Sequence, residues 1–205
     1  MILIQHILNS FSALELFPDS FEDSESGKIP KGLQEGTIEE EFNLTMGQSP
    51  PGDSYNEIGE VIPFYQGRSD FGFRYPTRRI YCTAPKRFAN PGDTIVSVRA
   101  PVGDINMAIE KCCIGRGVAA IRHKSGSRSY TYYTMHSLSD LFLEFEVGGT
   151  VFGCINKNDF QGIKHIVPQK RLIEEFEERI SPIDKKIENN TIQSRTLTAL
   201  RDALL

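Results

Sequence analysis

The chain has 205 residues, 39% hydrophobic and 24% charged, with a formal net charge of −4, four cysteines and no tryptophan. That length buries one good core plus an appendage. The cysteines form no CxxC pair and share no ligand spacing with the four histidines, which excludes a disulfide framework or zinc site and leaves reduced thiols in a cytoplasm as the expectation.

The charge is unevenly spread. Residues 1–45 carry nine acids against two bases, residues 46–136 twelve bases against seven acids, and residues 137–205 nine bases against eleven acids. Most cations of the middle segment are arginines. A cation excess confined to one segment suits a local nucleic-acid face better than a general affinity for polyanions.

In chain order, Ile4, Ile7, Leu8, Phe11 and Leu14 fall at helical spacing, so residues 1–17 are expected to form a short amphipathic helix. Gln5 and His6 interrupt that stretch and no cation precedes it, so it does not read as a secretory signal. No later run reaches the ~18 apolar residues of a membrane span. Residues 18–32 hold Pro18, Gly27, Pro30 and Gly32 and are expected to form a loop or linker. Thr37 and Glu40 have capping-box spacing for a short helix.

Strand patterns follow at Phe42–Met46, Val61–Gln66, Arg79–Thr83, residues 93–99 and residues 118–122. The run at 93–99 is the most marked. Thr94, Ile95, Val96 and Val98 are nearly continuous β-branched residues, which suits a strand covered on both faces. Pro101 ends it, having no amide for a ladder. Arg99 at that terminus is either a structural cation or a reader of phosphate or guanine. Between the second and third strands lie Arg68, Phe71, Phe73, Arg74, Tyr75 and Arg78. Arginines interleaved with aromatics there either stack on nucleic acid or form a surface loop pinned by its own rings.

Ser129–Glu146 reads as an amphipathic helix with Tyr133, Leu138, Leu141, Phe142 and Phe145 on one face, ended by Gly148-Gly149. A last strand, Ile163–Val167, stops at Pro168. The tail is expected to form one helix over 169–180 and a second restarting at Ser181-Pro182, with serine as N-cap and proline at the first helical position. From Ile183 a 3–4 spacing selects Ile183, Ile187, Asn190, Ser194, Leu197, Arg201 and Leu204, a seam with apolar ends and a polar middle.

Three chemical motifs fail on inspection. Gly115-Arg-Gly117-Val-Ala-Ala120 fits GxGxxA, but a breaker at Gly126 leaves no room for the helix a dinucleotide loop requires. Ser49-Pro50-Pro51-Gly52 lacks both the polar amide or acid and the aromatic of an amino-methyltransferase signature. Asp93, Asp104 and Glu110 lack the acid-x-Lys of a metal nuclease, and the two aspartates suit turns. No catalytic residue, metal or cofactor is expected.

The run Gly92–Ala108, with Cys112–Arg122 behind it, resembles the target recognition domain of type I restriction–modification specificity subunits. Met46–Gly52, Ile62–Gly67, Gly149–Phe152 and Ile155–Phe160 extend the resemblance, which covers residues 19 to 205. Leu33 stands where that family usually has tryptophan after Ile-Pro-Lys-Gly. The resemblance implies an α+β fold: a mixed twisted β-sheet recognition domain with a packed helix, followed by a long C-terminal helical arm. Expected divisions are an N-terminal helix and linker (1–32), a recognition domain (33–168) and a helical spacer or dimerisation arm (169–205).

Family members hold two such domains and read a split target, so this chain corresponds to about half. It implies a non-catalytic partner of double-stranded DNA, of methyltransferase subunits and of a restriction–motor subunit, with a homodimer through the C-terminal helix as one arrangement. The candidate DNA face is Gln48, Ser49, Tyr55, Gln66, Arg68, Arg74, Arg78, Arg99 and Arg116, with Lys157 on phosphate. Arg116, between two glycines, is the arginine most readily explained as structural. The candidate partner-helix face is Ile183, Ile187, Asn190, Leu197 and Leu204. Two other classes compete: a small methyltransferase or nuclease, and a helical interaction module without a DNA role.

Overall fold

The computed structural model describes residues 21–24, 27–30, 33–147 and 153–205. The helix expected over residues 1–17, the Gly148-Gly149 stop and the Gly149–Phe152 motif lie outside them. The central unit is a four-stranded antiparallel sheet in the order β10 (Ile105–Met107), β9 (Thr94–Ser97), β12 (Val118–His123), β4 (Phe42–Met46). Alternation along β9 and β12 explains its position. Val96, Ala119 and Ile121 enter one cluster, which also takes Val98 just past β9, while Ile95, Val118 and Ala120 enter another. Both faces are therefore covered, as the β-branched run predicts.

The first cluster faces α2 (Arg128–Ser137) and α3 (Ser139–Val147), through Tyr130, Met135, Leu138 and Phe142. The second lies against a five-stranded sheet: β5 (Tyr55–Asn56), β7 (Tyr81–Cys82), β6 (Ile62–Tyr65), β11 (Cys112–Ile114) and β8 (Phe88–Ala89), with only β6 and β11 parallel. Cys112 and Cys113 face opposite sides of this sheet, Cys112 inward with Tyr65 and Ile114, Cys113 outward with Phe64 and Cys82. A two-stranded pair, β3 (Gln34–Thr37) with β13 (Lys164–Val167), closes the domain beside α1 (Ile38–Glu41) and α4 (Lys157–Gln161). The expected capping box forms, with the Glu40 carboxylate accepting from the Thr37 amide at 2.8 Å and the Thr37 side chain accepting from the Glu40 amide.

Three expectations are corrected. Residues 18–32 are not wholly loop, because β1 (Phe21–Ser24) and β2 (Gly27–Pro30) pair as an antiparallel hairpin. The helix expected over 129–146 is two. Ser137 Oγ donates to the Thr134 carbonyl and Ser139 Oγ to the His136 carbonyl, and the chain turns at Leu138. Hydroxyls competing for helix carbonyls are a known local cause of such breaks.

The tail is one helix, α5 (Lys170–Leu204), running through Pro182. Proline there removes one hydrogen bond, normally enough to kink or break a helix. Apolar packing on both sides of it, by Ile173, Phe176, Ile180 and Ile187, spans the gap. At 35 residues α5 is about 52 Å long. No helix among the described residues is long and apolar enough to cross a membrane.

Candidate nucleic-acid interface

Four distant segments meet at the end of the sheets where β9 and β11 finish. The Gly47 amide donates to the Val118 carbonyl at 2.9 Å, and the Gln48 amide to the Ile114 carbonyl at 3.0 Å. The Gly115 amide donates to the Tyr65 carbonyl at 2.8 Å, and the Val98 amide to the Gly117 carbonyl at 2.9 Å. Glycine is needed for this convergence. A Cβ on Gly47 would lie 2.1 Å from the Gly115 oxygen, and one on Gly117 would lie 2.2 Å from the Gln66 oxygen. The GxGxxA motif thus serves as a tight turn into β12, with a strand rather than a helix after it.

Arg99 leaves β9 beside this turn. It forms a β-bridge with Cys154, and the Ala100 amide donates to the Gly153 carbonyl at 3.0 Å. That contact brings in the start of α4. There the Asn156 side chain caps by accepting from the Asp159 amide, while Phe160 anchors the helix in the core. Lys157 stands exposed on its first turn.

Gln48, Ser49, Gln66, Arg68, Arg99, Arg116 and Lys157 therefore share one end of the molecule. Arg99, Arg116 and Lys157 are exposed and make no side-chain ion pair or hydrogen bond among the described residues. Arg68 is 63% exposed and bridges Asp104 at 3.3 Å. The Arg116 guanidinium is not structural, contrary to expectation, because the turn is held by its backbone alone. The sequence reading also missed Lys86 and Arg87. Both are exposed, and the Arg87 carbonyl accepts from the Ile114 amide, next to Gly115. They precede β8, which has two residues and no legible pattern.

Three candidates are not on this rim as free groups. Arg74 is 6% exposed; its guanidinium pairs with Asp184 of α5 at 2.6 Å and lies 4.3 Å from the Tyr132 ring centre. It is a buried structural cation rather than the DNA contact expected. Arg78 forms a two-pronged pair with Glu110 at 2.5 and 2.8 Å, beyond the opposite end of β10 from Asp104. Tyr55 packs on Phe64 and donates its hydroxyl to the Pro50 carbonyl at 3.0 Å. Of the aromatics interleaved with arginines, Tyr75 is buried and Phe71 half-buried, and only Phe73, 97% exposed, faces outward. Phe73 lines a groove of about 490 Å³ with Arg68, Asn106, His136 and Leu143.

On the arm, Ile187 is half-buried and packs against the domain. Ile183, Leu197 and Leu204 are 56%, 60% and 86% exposed, and Asn190 is exposed. Leu200, 55% exposed, joins Leu197 and Leu204 on one stripe.

A separate cluster of titratable groups lies at the junction of α1, β12 and β13. His165 Nε2 is 2.8 Å and His123 Nε2 3.4 Å from the Glu41 carboxylate. Burial pushes the Glu41 pKa upward, but the hydrogen bonds and charges of His123 and His165 outweigh it and hold the group at about 2. No three His, Cys, Asp or Glu side chains among the described residues are arranged to hold a metal.

No protein-family profile matches the chain. It is 39% identical over 173 residues to a putative type I restriction enzyme MjaX specificity subunit of Methanocaldococcus jannaschii, covering 82% of this chain and 40% of that protein. The solved HsdS subunit of Thermoanaerobacter tengcongensis superposes with a TM-score of 0.66 at 34% identity, over 91% of this chain and 43% of that one. A chain from a structural study of type I R-M system assembly and conformational transition gives the same TM-score and identity, over 97% and 48%. The chain thus spans less than half the length of each.

Proposed function

We propose that this chain, which is related over four-fifths of its length to type I restriction enzyme specificity subunits, is a DNA sequence-recognition half-unit without catalysis of its own. The observation that carries the reading is the rim of unpaired, exposed cations Arg99, Arg116 and Lys157, held by backbone contacts beside Gln48 and Gln66 on a buried sheet. Glutamine pairs bidentately with adenine and arginine with guanine, each worth ~1–3 kcal/mol of discrimination. Lys157, Lys86 and Arg87 would anchor on phosphate.

In this reading the chain selects the site, a bound methyltransferase subunit flips out and methylates adenine, and a restriction–motor subunit joins the complex in the cytoplasm. The arm carries assembly. A second copy packed antiparallel along the Leu197–Leu200–Leu204 stripe would place a recognition rim at each end of a two-fold pair and read inverted half-sites. The remainder of a longer chain would serve the same geometry.

The test is anisotropy of a labelled pool of random-sequence duplexes at several salt concentrations, for wild type and Arg99→Ala/Arg116→Ala. Wild type should bind with affinity that falls steeply with salt, and the double variant, which removes two cations from the rim, should bind more weakly at every salt concentration. A wild-type chain with no salt-dependent duplex affinity would sink the reading.

A further inference from the structure

The segment 66–80 carries Arg68 at the rim, yet its side chains also reach the arm. Arg74 donates to Asp184 at 2.6 Å, the two being 6% and 1% exposed. Tyr133 completes a triangle, accepting from Arg74 at 3.3 Å and donating to Asp184 at 3.3 Å. Further along α5, Arg195 donates to the Pro76 carbonyl at 2.7 Å. The same segment is stitched to the edge of the central sheet. Asn106 exchanges two hydrogen bonds with the Gly72 backbone at 3.1 and 2.9 Å, and the Met107 amide donates to the Arg74 carbonyl at 2.8 Å.

The geometry points to Arg74 and Asp184 as positioning residues through which the arm holds the recognition loop in register with the sheet. This rests on the rim being the DNA face. Arg74 Nε and Asp184 Oδ2 are buried and unpartnered, an arrangement poor for stability. Apolar side chains of similar volume often serve stability as well as a buried ion pair does. What such chains do not supply is a unique position: an apolar contact tolerates sliding along a helix, whereas a guanidinium fork facing one carboxylate oxygen and two phenol rings does not. A displacement of α5 is therefore passed through Arg74 to the loop that ends in Arg68, and the arm belongs to the reading apparatus as well as to the spacer.

Amide hydrogen exchange on the full chain, without DNA, tests this. In Asp184→Asn the Gly72 and Met107 amides should exchange about tenfold faster or more, while the central β12 amides Ala120 and Ile121 keep wild-type protection. Arg74→Met/Asp184→Leu, which restores bulk, should keep the wild-type unfolding midpoint but retain the fast loop exchange. Wild-type rates at Gly72 and Met107 in both variants overturn the proposal. So does equal acceleration at every amide, which marks a general stabiliser. If Asp184→Asn does not fold, the apolar pair decides; failure of both to fold counts against a positioning role. Because no DNA is present, this outcome is independent of the Arg99→Ala/Arg116→Ala binding test, which bears on the DNA reading alone.

Discussion

The backbone amide of Arg116 donates to Ser49 Oγ at 3.2 Å, joining segments 67 positions apart. The bond fixes the Gly115–Gly117 turn against the β4–β5 loop without using the arginine's charge. A cation held by its backbone and left with an open guanidinium is what a groove-reading residue requires.

Cys154 reports on the same surface. Among the four cysteines it alone is exposed, and it bridges Arg99. Burial pushes the Cys112 thiol up to about 12 and the Cys113 thiol upward as well. Iodoacetamide should therefore modify one thiol in the native chain, at Cys154, and saturating duplex should slow that reaction. An alkylation rate indifferent to DNA would place the duplex elsewhere.

In the proposed reading, Lys157→Ala removes a phosphate anchor without touching a base reader. Affinity for every duplex should fall alike, and the salt slope by about one unit. A changed recognition sequence, read by methylome sequencing of cells carrying the complete system, would contradict the assignment.

Arg74→Ala leaves the buried Asp184 carboxyl without its guanidinium partner. A loss of about 3–5 kcal/mol in urea unfolding is expected. Arg116→Ala, an exposed substitution, should stay within about 0.5 kcal/mol of wild type. Equal costs for the two would undo the contrast drawn between clamp and rim.

Glu41 contributes to the acid limb of stability. Its folded pKa of about 2 lies below the ordinary 4.5, so its contribution is complete above pH 4.5 and disappears as pH falls towards 2. Glu41→Gln should flatten that stretch of the stability–pH curve, measured by thermal melts between pH 5 and pH 2. An unchanged slope would mean that the His123–Glu41–His165 contact contributes little.

Leu197→Glu/Leu200→Glu alters residues 60% and 55% exposed, so the domain should melt as wild type does. Sedimentation should nonetheless show lost self-association. Wild type that stays monomeric at high micromolar concentration would leave the stripe to a different chain.

The fold was legible where neighbours in sequence are also neighbours in space. The β-branched run of β9 and the alternation of β12 announce strands covered on both faces, and the helical arm shows in its spacing. The family motifs mark the turns that converge on the rim. The role of Arg74 is not legible locally because its partner lies 110 positions away, and an arginine among aromatics looks the same in sequence whether it faces a base or a buried aspartate. Local chemistry makes Pro182 look like a start signal, whereas the packing that carries the helix through it is tertiary. The free cations Lys86 and Arg87 sit beside a two-residue strand, too short for any periodic signal.

The clamp at Asp184 also has a mechanical meaning. From there to Leu204 the helix runs about 30 Å, so a tilt of about 10° at the pivot carries the tip roughly 5 Å sideways. Successive base pairs are about 3.4 Å apart, which makes that error larger than one step of the duplex. In a paired subunit, a loosened pivot would blur the gap counted between half-sites before it weakened the grip on either one.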